Sequence, residues 1–527
     1  MDHELREMSV AEFIWREGQL WGFDNPARAL YQTVREYVEN ALDATDVYGI
    51  PPNVTVFIEQ EPNKPDVCVV TVEDNGIGIP PQQMAKALGK PLVTSKFKIK
   101  QSRGQFGLGA KAVTIYAYKT TGSPVEAYSS PINSERVYYV RFTVDFERNE
   151  PLVLALGSWR KSTGWHGTRI KARIKCNYSR VRSRLLRYFE MLAIVTPYAD
   201  IVLVLPDGQV KHWPRVTNEM PPQPKEVKPH PASLELGDLK RLIAETNAPT
   251  LKDFLTSTFQ KVGEKSALNV LKMAGLDPAR SPKSLSDEEI ERLYKALRSY
   301  RFPAPSSDPL APIGAGIIEK GLRAILKPEF ATAVTRKPKV YSGGHPFIVE
   351  VGIAYGGAIE PRDEPMLLRY ANRIPLLYDE KQDVAWKVVS QFNWKNYGVS
   401  FPAPLVVLTH VCSTKIPWKA GNKEAIAEVE EIEDELKLAL QEAARRLRHY
   451  LIEKRREEEI RERIATFVRY IPEVAESIAA ILREEGVTPE DVKNKLIEAL
   501  RRRTSSPKER KILEEQVKKL SEVKIVH

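Results

Sequence analysis

Cysteine and long apolar runs are scarce in this sequence of 527 residues. The three cysteines, Cys68, Cys176 and Cys412, lie far apart and form neither a disulfide framework nor a zinc-ligand pattern, so we expect a reducing compartment. No apolar run approaches the length of a membrane span, and the acidic first residues are not those of a secretory signal peptide. These absences predict a cytoplasmic protein that does not associate with membranes.

The sequence also lacks internal repeats and the Gly-x-x-x-x-Gly-Lys-Ser/Thr motif, which excludes a P-loop nucleotide site. Its 42% hydrophobic and 28% charged residues are typical of a globular protein. The usual domain size predicts about three or four domains for a chain of this length. The net charge of +10 is compatible with a polyanionic partner but does not require one.

Residues 27–46 are the stretch on which the remaining interpretation depends. They predict one long helix, in which Asn25 is the N-cap, Pro26 takes the first position and Gly49 ends the helix. An apolar stripe for the core recurs at helical spacing at Ala27, Leu30, Val34, Val38, Ala41, Leu42 and Val47. The helix therefore has one buried side, with polar residues next to it.

Three of these polar side chains, Glu36, Asn40 and Asp43, lie on one side of the helix because their spacings are four and three. In a pocket, the carboxylate could polarise a water molecule and the amide oxygen could ligate a hard cation such as Mg²⁺. Taken alone the pattern is weak, because such pairs are more often solvated surface.

A strand pair predicted over 54–58 and 67–73 leads into the loop 74–80, whose glycines allow a ligand to approach the backbone closely. Asp74, the first loop residue, is an acceptor-only carboxylate, although alone it is also a common turn-forming residue. A second glycine-rich stretch then opens another helix, and it comprises Gly104, Gln105, Phe106, Gly107, Leu108, Gly109, Ala110 and Lys111. Free backbone N–H groups at such a helix start, aided by the helix dipole, hold phosphates.

The three motifs, in this order and at these distances, resemble the ATP-binding domain of the GHKL family, which has the Bergerat fold. That family includes type II DNA topoisomerases, Hsp90 chaperones, histidine kinases and mismatch-repair ATPases. The resemblance covers roughly residues 20–175 and implies that the chain binds ATP with Mg²⁺. It also implies that Glu36 is the general base for the attacking water, Asn40 the Mg²⁺ ligand and Asp74 the acceptor for the adenine amino group.

The resemblance extends to the segments around these motifs. Residues 81–103 are basic and predict a mobile lid, in which the family places Ser95 and Lys96 on the nucleotide. Residues 104–111 are expected to wrap the phosphates, with Lys111 adding a charge. The family places a hydroxyl at Thr168, near the adenine-binding aspartate, although a strand threonine facing solvent is an equal alternative.

Proline-rich stretches at 206–231 and 302–312 predict domain boundaries, and helical patterns lie between them at 251–276 and 285–297. This region resembles the helix-two-turn-helix insert of type IIB topoisomerase B subunits. Its basic residues either meet nucleic-acid phosphates or form a solvated face, and they are Lys261, Lys265, Lys272, Arg280 and Lys283.

After residue 314, a helix and strands at 347–354, 376–377 and 405–411 predict a βαβ unit in the place of the topoisomerase transducer domain. A long amphipathic helix is predicted over 426–468, with Pro472 after its end and shorter helices following. The transducer includes a lysine-containing loop at 413–424.

In the resembled family, a lysine of this transducer loop reaches the γ-phosphate and senses hydrolysis, a task that suits a flexible ammonium group. Lys423 is the preferred candidate, although Asn422 is an extra residue relative to the family pattern. Lys415 is the alternative.

These patterns predict a multidomain α+β protein. Residues 1–228 are expected to form an N-terminal arm and a Bergerat-fold α/β sandwich ATPase domain, followed by a helix-two-turn-helix domain over 229–306. A transducer domain with a long stalk helix is expected over 307–470 and a C-terminal helical region over 471–527. The aromatic-rich arm, residues 1–24, either packs on its own domain or, as in the family, crosses to a partner subunit.

The resemblance implies an ATP-hydrolysing subunit of a type IIB DNA topoisomerase, an isomerase that relaxes supercoils and decatenates DNA. ATP-dependent homodimerisation of the ATPase domain would gate the passage of one double-stranded DNA through a break in another. A separate A subunit would make the break, in an A₂B₂ heterotetramer associated with a prokaryotic nucleoid. The alternative is a GHKL chaperone, or another ATP-dependent clamp that does not act on DNA.

Overall fold

The computed structural model of the chain describes residues 8–18, 22–91, 93, 101–103, 107–420, 423–482, 486–504 and 506–523. The chain divides into two compact units. The first consists of residues 1–393 with 401–444, and the second of residues 394–400 with 445–527.

The larger sheet of the first unit begins near the N-terminus. Its strands are β1 (Asn53–Glu61), β2 (Lys64–Asp74), β3 (Val125–Ser130), β4 (Arg136–Asp145), β5 (Glu150–Arg160), β6 (Gly167–Lys175), β7 (Asp200–Val204) and β8 (Val210–Trp213). They lie in the order β5-β4-β3-β6-β2-β1-β7-β8. Strands β1 and β7 pair in parallel, and their neighbours pair antiparallel. Alternate residues of β1 are buried because they face the helices that cover the sheet.

The helices of this region are α1 (Val10–Arg16), α2 (Pro26–Thr45), α3 (Met84–Gly89), α4 (Gly109–Thr121) and α5 (Tyr178–Val195). Helices α2 and α4 pack on β2 and β6, and α5 packs against α2. One hydrophobic core joins the helices to the sheet, so this region is an α/β sandwich.

Helix α2 is the predicted long helix, and its ends are those that the sequence indicates. The side chain of Asn25 accepts a hydrogen bond from the Arg28 N–H at 2.9 Å, and Pro26 is the first helical residue. After Thr45 a short 3₁₀ turn leads to Gly49, whose φ of 72° ends the helix. The apolar stripe within α2 is buried, whereas Val47 lies in the 3₁₀ turn after the helix and is half-buried. Glu36 and Asn40 are half-buried beside the stripe.

The N-terminal arm packs on its own domain where it is described. Ala11 and Ile14 of α1 are buried against Ala112 and Ile115 of α4. The Trp15 ring lies edge-on to Phe146 with 4.9 Å between the ring centroids, so residues 8–18 of the arm contact their own domain.

The insert consists of α6 (Leu236–Glu245), α7 (Leu251–Thr258), α8 (Glu264–Ala274) and α9 (Asp287–Ser299), which enclose a core of their own. The predicted continuous helical stretch over 251–276 is two helices. The break comes at Phe259, which is extended, and Lys261, which has a φ of 60°. Ser286 and Glu289 form the predicted capping box at the start of α9.

The transducer region contains α10 (Ala315–Leu326), β9 (Phe330–Thr335), β10 (Lys339–Tyr341), β11 (His345–Tyr355), β12 (Met366–Ala371), β13 (Ile374–Leu376), α11 (Val384–Ser390) and β14 (Leu405–Ser413). The sheet order is β10-β11-β14-β12-β13, with β9 paired to β11. Strands β12 and β14 are parallel with α11 between them in sequence, which confirms the predicted βαβ unit.

Helices α5 and α10 join the two sheets through a shared core. Ile194 and Val195 of α5 lie in one cluster with Ile317 and Ile318 of α10. A Cβ at Gly321 of α10 would collide with the carbonyl oxygen of Ile194, so the two helices pack with backbone against backbone. The eight-stranded sheet and the six-stranded sheet are therefore fixed to each other.

Three helices, α12 (Glu430–Ile481), α13 (Pro489–Arg503) and α14 (Pro507–Val523), make up the C-terminal part of the chain. The expectation that the long helix ends before Pro472 was wrong, because α12 contains this proline. In the second unit, Ala475 and Ala479 beyond the proline pack against Val492 of α13. A proline inside a helix costs about 3 kcal/mol, and this burial acts against that cost. None of the described helices is both long enough and apolar enough to cross a membrane.

The prediction that the cysteines form no disulfide was wrong, since Cys68 and Cys176 are bonded, with 5.7 Å between their Cα atoms. Strands β2 and β6 are neighbours, and Cys176 directly follows β6, so a separation of 108 residues in sequence becomes a contact. Cys412 remains a buried thiol. The cysteines therefore give no support to the predicted reducing compartment.

The disulfide predicts a thiol count. In denaturant without reductant, the purified chain should expose a single reactive thiol, Cys412, and after reduction three. Reduction should also lower the free energy of unfolding by about 2–4 kcal/mol, because the bond closes a long loop. A Cys412→Ala variant is the control and should show no thiol before reduction. Three thiols in the unreduced wild-type chain would contradict the pairing.

Candidate active site

Helix α2, strand β2 and the loop that follows it surround a cavity of about 200 Å³. Its polar side chains include Asn40 and Asp43 of α2, Asp74 at the end of β2 and Thr168 of β6. The other lining residues are mostly apolar and are Tyr37, Ala41, Ala44, Val47, Tyr48, Val72, Ile77, Gly78, Ile79, Leu88, Gln101, Ser102 and Ile170. A mostly apolar cavity with a few fixed polar groups suits a nucleobase.

Glu36 lies one helical turn before Asn40, next to the start of α4. Gln32 Nε2 donates a hydrogen bond to Glu36 Oε1 at 2.7 Å and orients the carboxylate. A Cβ at Gly109, the first residue of α4, would collide with this carboxylate, so a larger residue there would displace Glu36 from its present position. The structure therefore brings Glu36, Asn40 and the end of the glycine-rich stretch together.

The described part of the glycine-rich stretch begins at Gly107, which has a φ of 62°. Leu108 precedes α4 as its N-cap, and the buried Lys111 donates from Nζ to the carbonyl oxygen of Val93 at 2.9 Å. The ammonium group therefore contacts the backbone of the predicted lid. The other predicted phosphate and lid residues lie outside the described residues, and they are Ser95, Lys96, Gly104, Gln105 and Phe106.

Asp74 is buried and held by the backbone. Its Oδ1 accepts hydrogen bonds from the N–H groups of Gly76, at 2.7 Å, and Thr168, at 3.1 Å. Among the described residues none donates to Oδ2, so this oxygen is the one suited to a ligand donor. Burial raises the pKa of Asp74 to about 7, against the lowering effect of the two backbone hydrogen bonds.

Thr168 is buried rather than facing solvent, and it contacts Asp74 through its N–H group. Its hydroxyl lies 3.1 Å from the hydroxyl of Ser129, which in turn accepts a hydrogen bond from the Ile79 N–H at 2.7 Å. The two hydroxyls therefore tie the loop after β2 to strands β3 and β6.

The loop glycines serve packing within the protein. A Cβ at Gly76 would lie 2.6 Å from the carbonyl oxygen of Ala44 in α2, and one at Gly78 would collide with Ser130. The sequence predicted that a ligand would approach these glycines closely, but the close neighbours are residues of the protein, Ala44 and Ser130. This packing holds the loop against the end of α2, and Asp74 and Asn40 line the same cavity.

The transducer loop reaches α2 through a buried ion pair. Arg35 Nη1 lies 2.5 Å from Glu424 Oε1, and Arg35 Nε lies 2.8 Å from Glu39 Oε1. Burial raises the pKa of Glu39, and the neighbouring Lys423 ammonium opposes this rise. Lys423 therefore lies beside the helix that carries Glu36.

Lys415, the alternative lysine, lies elsewhere on the transducer. Its carbonyl oxygen accepts a hydrogen bond from the Tyr341 hydroxyl, and its charge helps to lower the pKa of His345 to about 4, mainly a result of burial. These neighbours belong to β10 and β11, which are not part of the cavity.

Comparison with known proteins identifies the family of the chain. A family model of histidine kinase-, DNA gyrase B- and HSP90-like ATPases matches residues 25–148, and one of the topoisomerase VI B subunit transducer matches residues 305–463. The B subunit of type 2 DNA topoisomerase 6 from Metallosphaera sedula is 46% identical over 503 residues, 94% of each chain. That of Saccharolobus shibatae is 47% identical over 482 residues, 91% of each. This chain belongs to the family of type 2 DNA topoisomerase 6 B subunits.

The predicted family, fold class and enzyme class are thereby confirmed. The chain has the role of an ATP-dependent type II topoisomerase B subunit, with a nucleotide-binding GHKL ATPase domain followed by a transducer. Among solved structures, the ATPase region of Saccharomyces cerevisiae topoisomerase II covers 85% of this chain and 98% of its own, at 12% identity and a TM-score of 0.40.

Sequence reasoning missed several residues that shape the site of this topoisomerase subunit. Trp165 Nε1 donates to the main-chain oxygen of Asp74 at 3.1 Å, and His166 Nδ1 lies 2.7 Å from the carbonyl oxygen of Gly76. The sequence signal that could have identified them is their position directly before the predicted strand that contains Thr168. Arg103, which the sequence predicts as a lid cation, is instead buried between Asp43 and Asp46.

The raised pKa of Asp74 predicts a pH dependence of nucleotide binding. The ionised carboxylate is the better acceptor for an amino group, and its population falls about tenfold between about pH 8 and about pH 6 when the pKa is about 7. The dissociation constant of an ATP analogue should therefore rise about tenfold over this interval. An Asp74→Asn variant should bind more weakly at the higher pH, with a flatter profile. Identical profiles for the two proteins would contradict the assignment.

Proposed function

We propose that Glu36 is the general base that activates water for ATP hydrolysis. Its carboxylate is oriented by Gln32 and lies against the first turn of α4, where the predicted phosphate-binding stretch ends. A base must be within hydrogen-bond reach of the water it deprotonates, and a helix start is a favourable place for phosphates. This contact between Glu36 and Gly109 is the observation that carries the proposal.

We propose that Asn40 ligates Mg²⁺. The fit rests on its place in the lining of the cavity, one helical turn from Glu36, and on the preference of Mg²⁺ for oxygen ligands, among which substrate phosphates are common. When bound, the ion would neutralise charge on the phosphates. Asn40 would hold it while Asp74 holds the adenine amino group at the other side of the same cavity.

Lys423 is the proposed γ-phosphate sensor. Support comes from its electrostatic effect on Glu39, one turn from Glu36 on the same helix. Glu424, the residue after Lys423, forms an ion pair with Arg35, which holds the transducer loop close to α2. Lys415 is disfavoured because its neighbours lie on the transducer strands.

The proposed assembly is an A₂B₂ heterotetramer with a DNA-cleaving A subunit, acting on double-stranded DNA in the nucleoid. ATP-dependent homodimerisation would close a gate, and hydrolysis would reset it, so that turnover shifts the population of closed dimers. The relatives are named as B subunits, which supports a partner subunit, and the transducer match supports coupling to it. The same matches disfavour a chaperone or a clamp that does not act on DNA.

The proposed general base predicts a specific defect. Glu36→Gln should lower ATP turnover about 10²–10⁴-fold while the dissociation constant of an ATP analogue changes little, because the carboxylate acts on water rather than on the nucleotide. Steady-state hydrolysis and equilibrium binding measure the two effects. Glu59→Gln, an exposed carboxylate of β1, is the matched control and should hydrolyse ATP normally.

The same proteins test the role on DNA. Mixed with the candidate A subunit and ATP, the wild-type chain and Glu59→Gln should relax supercoiled DNA repeatedly. Glu36→Gln should not support repeated rounds of relaxation, because it hydrolyses ATP too slowly. Normal ATP hydrolysis by Glu36→Gln would refute the general base. Hydrolysis without relaxation by the wild-type pair would refute the assembly alone.

The two lysines give a paired prediction. Lys423→Met should lower turnover about 10-fold or more, because a point charge on the transferred phosphate is lost. Lys415→Met removes the same charge from the same loop and should leave turnover within about twofold of wild type. A reversed result, measured by the same hydrolysis assay, would make Lys415 the sensor.

A further inference from the structure

A group of buried charged side chains runs from the nucleotide cavity to the transducer sheet. Arg103 Nη1 lies 3.0 Å from Asp43 Oδ1, and Arg103 Nη2 lies 2.7 Å from Asp46 Oδ2. Arg373 of the transducer lies 3.2 Å from the same oxygen of Asp46. All four side chains are buried, and two arginines balance two aspartates. Removal of one member leaves a buried charge without compensation, so the group acts as a unit.

Tyr198, which follows α5, forms hydrogen bonds with two members of this group, Asp46 and Arg373. Its hydroxyl donates to Asp46 Oδ2 at 3.1 Å and accepts from Arg373 Nη1 at 3.4 Å. Because Asp46 Oδ2 has three donors, its position is determined from the transducer and from the ATPase domain at once.

The transducer end of the group is rigid. Asn372 and Arg373 form the two-residue turn between β12 and β13 with φ values of 47° and 69°, a conformation that asparagine adopts readily and arginine rarely. The Arg373 N–H donates to His410 Nε2 at 2.9 Å, and His410 Nδ1 donates to the buried carboxylate of Glu350 at 2.8 Å. The transducer sheet therefore sets where the Arg373 guanidinium lies.

The other end of the group is the cavity wall. Asp43 lines the cavity, as do Gln101 and Ser102, which directly precede Arg103. Gln101 is also held by the transducer region, since its Oε1 accepts from the Ala311 N–H at 2.6 Å. The cavity lining next to Arg103 therefore depends on the transducer region in two ways. Gln101 contacts Ala311 directly, and Asp43 is linked to Arg373 through Arg103 and Asp46.

We propose that Arg373 is a positioning residue for the nucleotide, through which the transducer sheet sets the shape of the cavity by way of Asp46 and Arg103. The proposal rests on the proposed function, in which this cavity holds the adenosine part of ATP. Loss of Arg373 should loosen Asp43 and residues 101–103 and weaken nucleotide binding. It should leave hydrolysis of bound ATP intact, because Glu36 is not a member of the group.

The test compares Arg373→Gln with Arg373→Lys and with Arg336→Gln in the full chain. Arg336 is a transducer arginine paired with Glu435, away from the cavity, so it supplies the same chemical change. For Arg373→Gln, the KM for ATP and the dissociation constant of a non-hydrolysable ATP analogue should rise about tenfold, with kcat within about twofold. Arg373→Lys should recover part of the loss, and Arg336→Gln should match the wild type.

A folded Arg373→Gln protein with unchanged KM, or with only kcat lowered, would overturn the proposal. If Arg373→Gln does not fold, Tyr198→Phe decides, because it removes one hydroxyl and keeps every charge. Its KM should rise about threefold, and an unchanged KM would overturn the proposal. A wild-type chain that fails to bind the analogue would instead refute the proposed function.

Discussion

The structure depends on the enclosure of Arg35 between two carboxylates from distant parts of the chain. Glu39 lies one turn along α2, and Glu424 belongs to the transducer loop; the three side chains are 3%, 6% and 2% exposed. Burial alone would lower the pKa of Arg35, but Glu424 and Glu39 raise it, so the guanidinium stays charged. A buried cation needs both partners, and this need ties the transducer loop to the helix that carries Glu36.

This ion pair is one of several connections between the ATPase region and the transducer region. The shared core of α5 and α10 provides apolar packing, and the Arg373–Asp46 contact provides a second buried charge pair. The ion pair lies at Arg35 in the middle of α2, the Arg373 contact lies at Asp46 just after the end of α2, and the shared core lies at the end of α5. A change at the nucleotide therefore meets the transducer at several fixed points, which is what a protein that couples ATP turnover to a movement requires.

Local signals predicted much of this molecule. Asn25, Pro26 and Gly49 delimit α2, and Ser286 delimits α9, because capping depends on neighbouring residues. Asn40 and Asp74 were placed in one cavity by the order of the motifs. The sequence did not locate several elements, and they are strands β3, β5, β7, β8, β9, β10 and β12 and helices α1, α3, α5 and α11.

What could not be predicted depends on contacts between distant residues. The Cys68–Cys176 bond follows from the pairing of β2 with β6, and the burial of Arg103 follows from its meeting with Asp46 and Arg373. Helix α12 passes Pro472 because tertiary packing overrides local propensity.

Amide hydrogen exchange of the full chain, with and without a non-hydrolysable ATP analogue, tests the coupling between cavity and transducer most directly. The account predicts that the analogue slows exchange in α2 and also in two transducer segments, residues 369–376 and 423–426, which carry Arg373 and Glu424. Protection confined to the residues around the cavity, with unchanged exchange in both transducer segments, would contradict it.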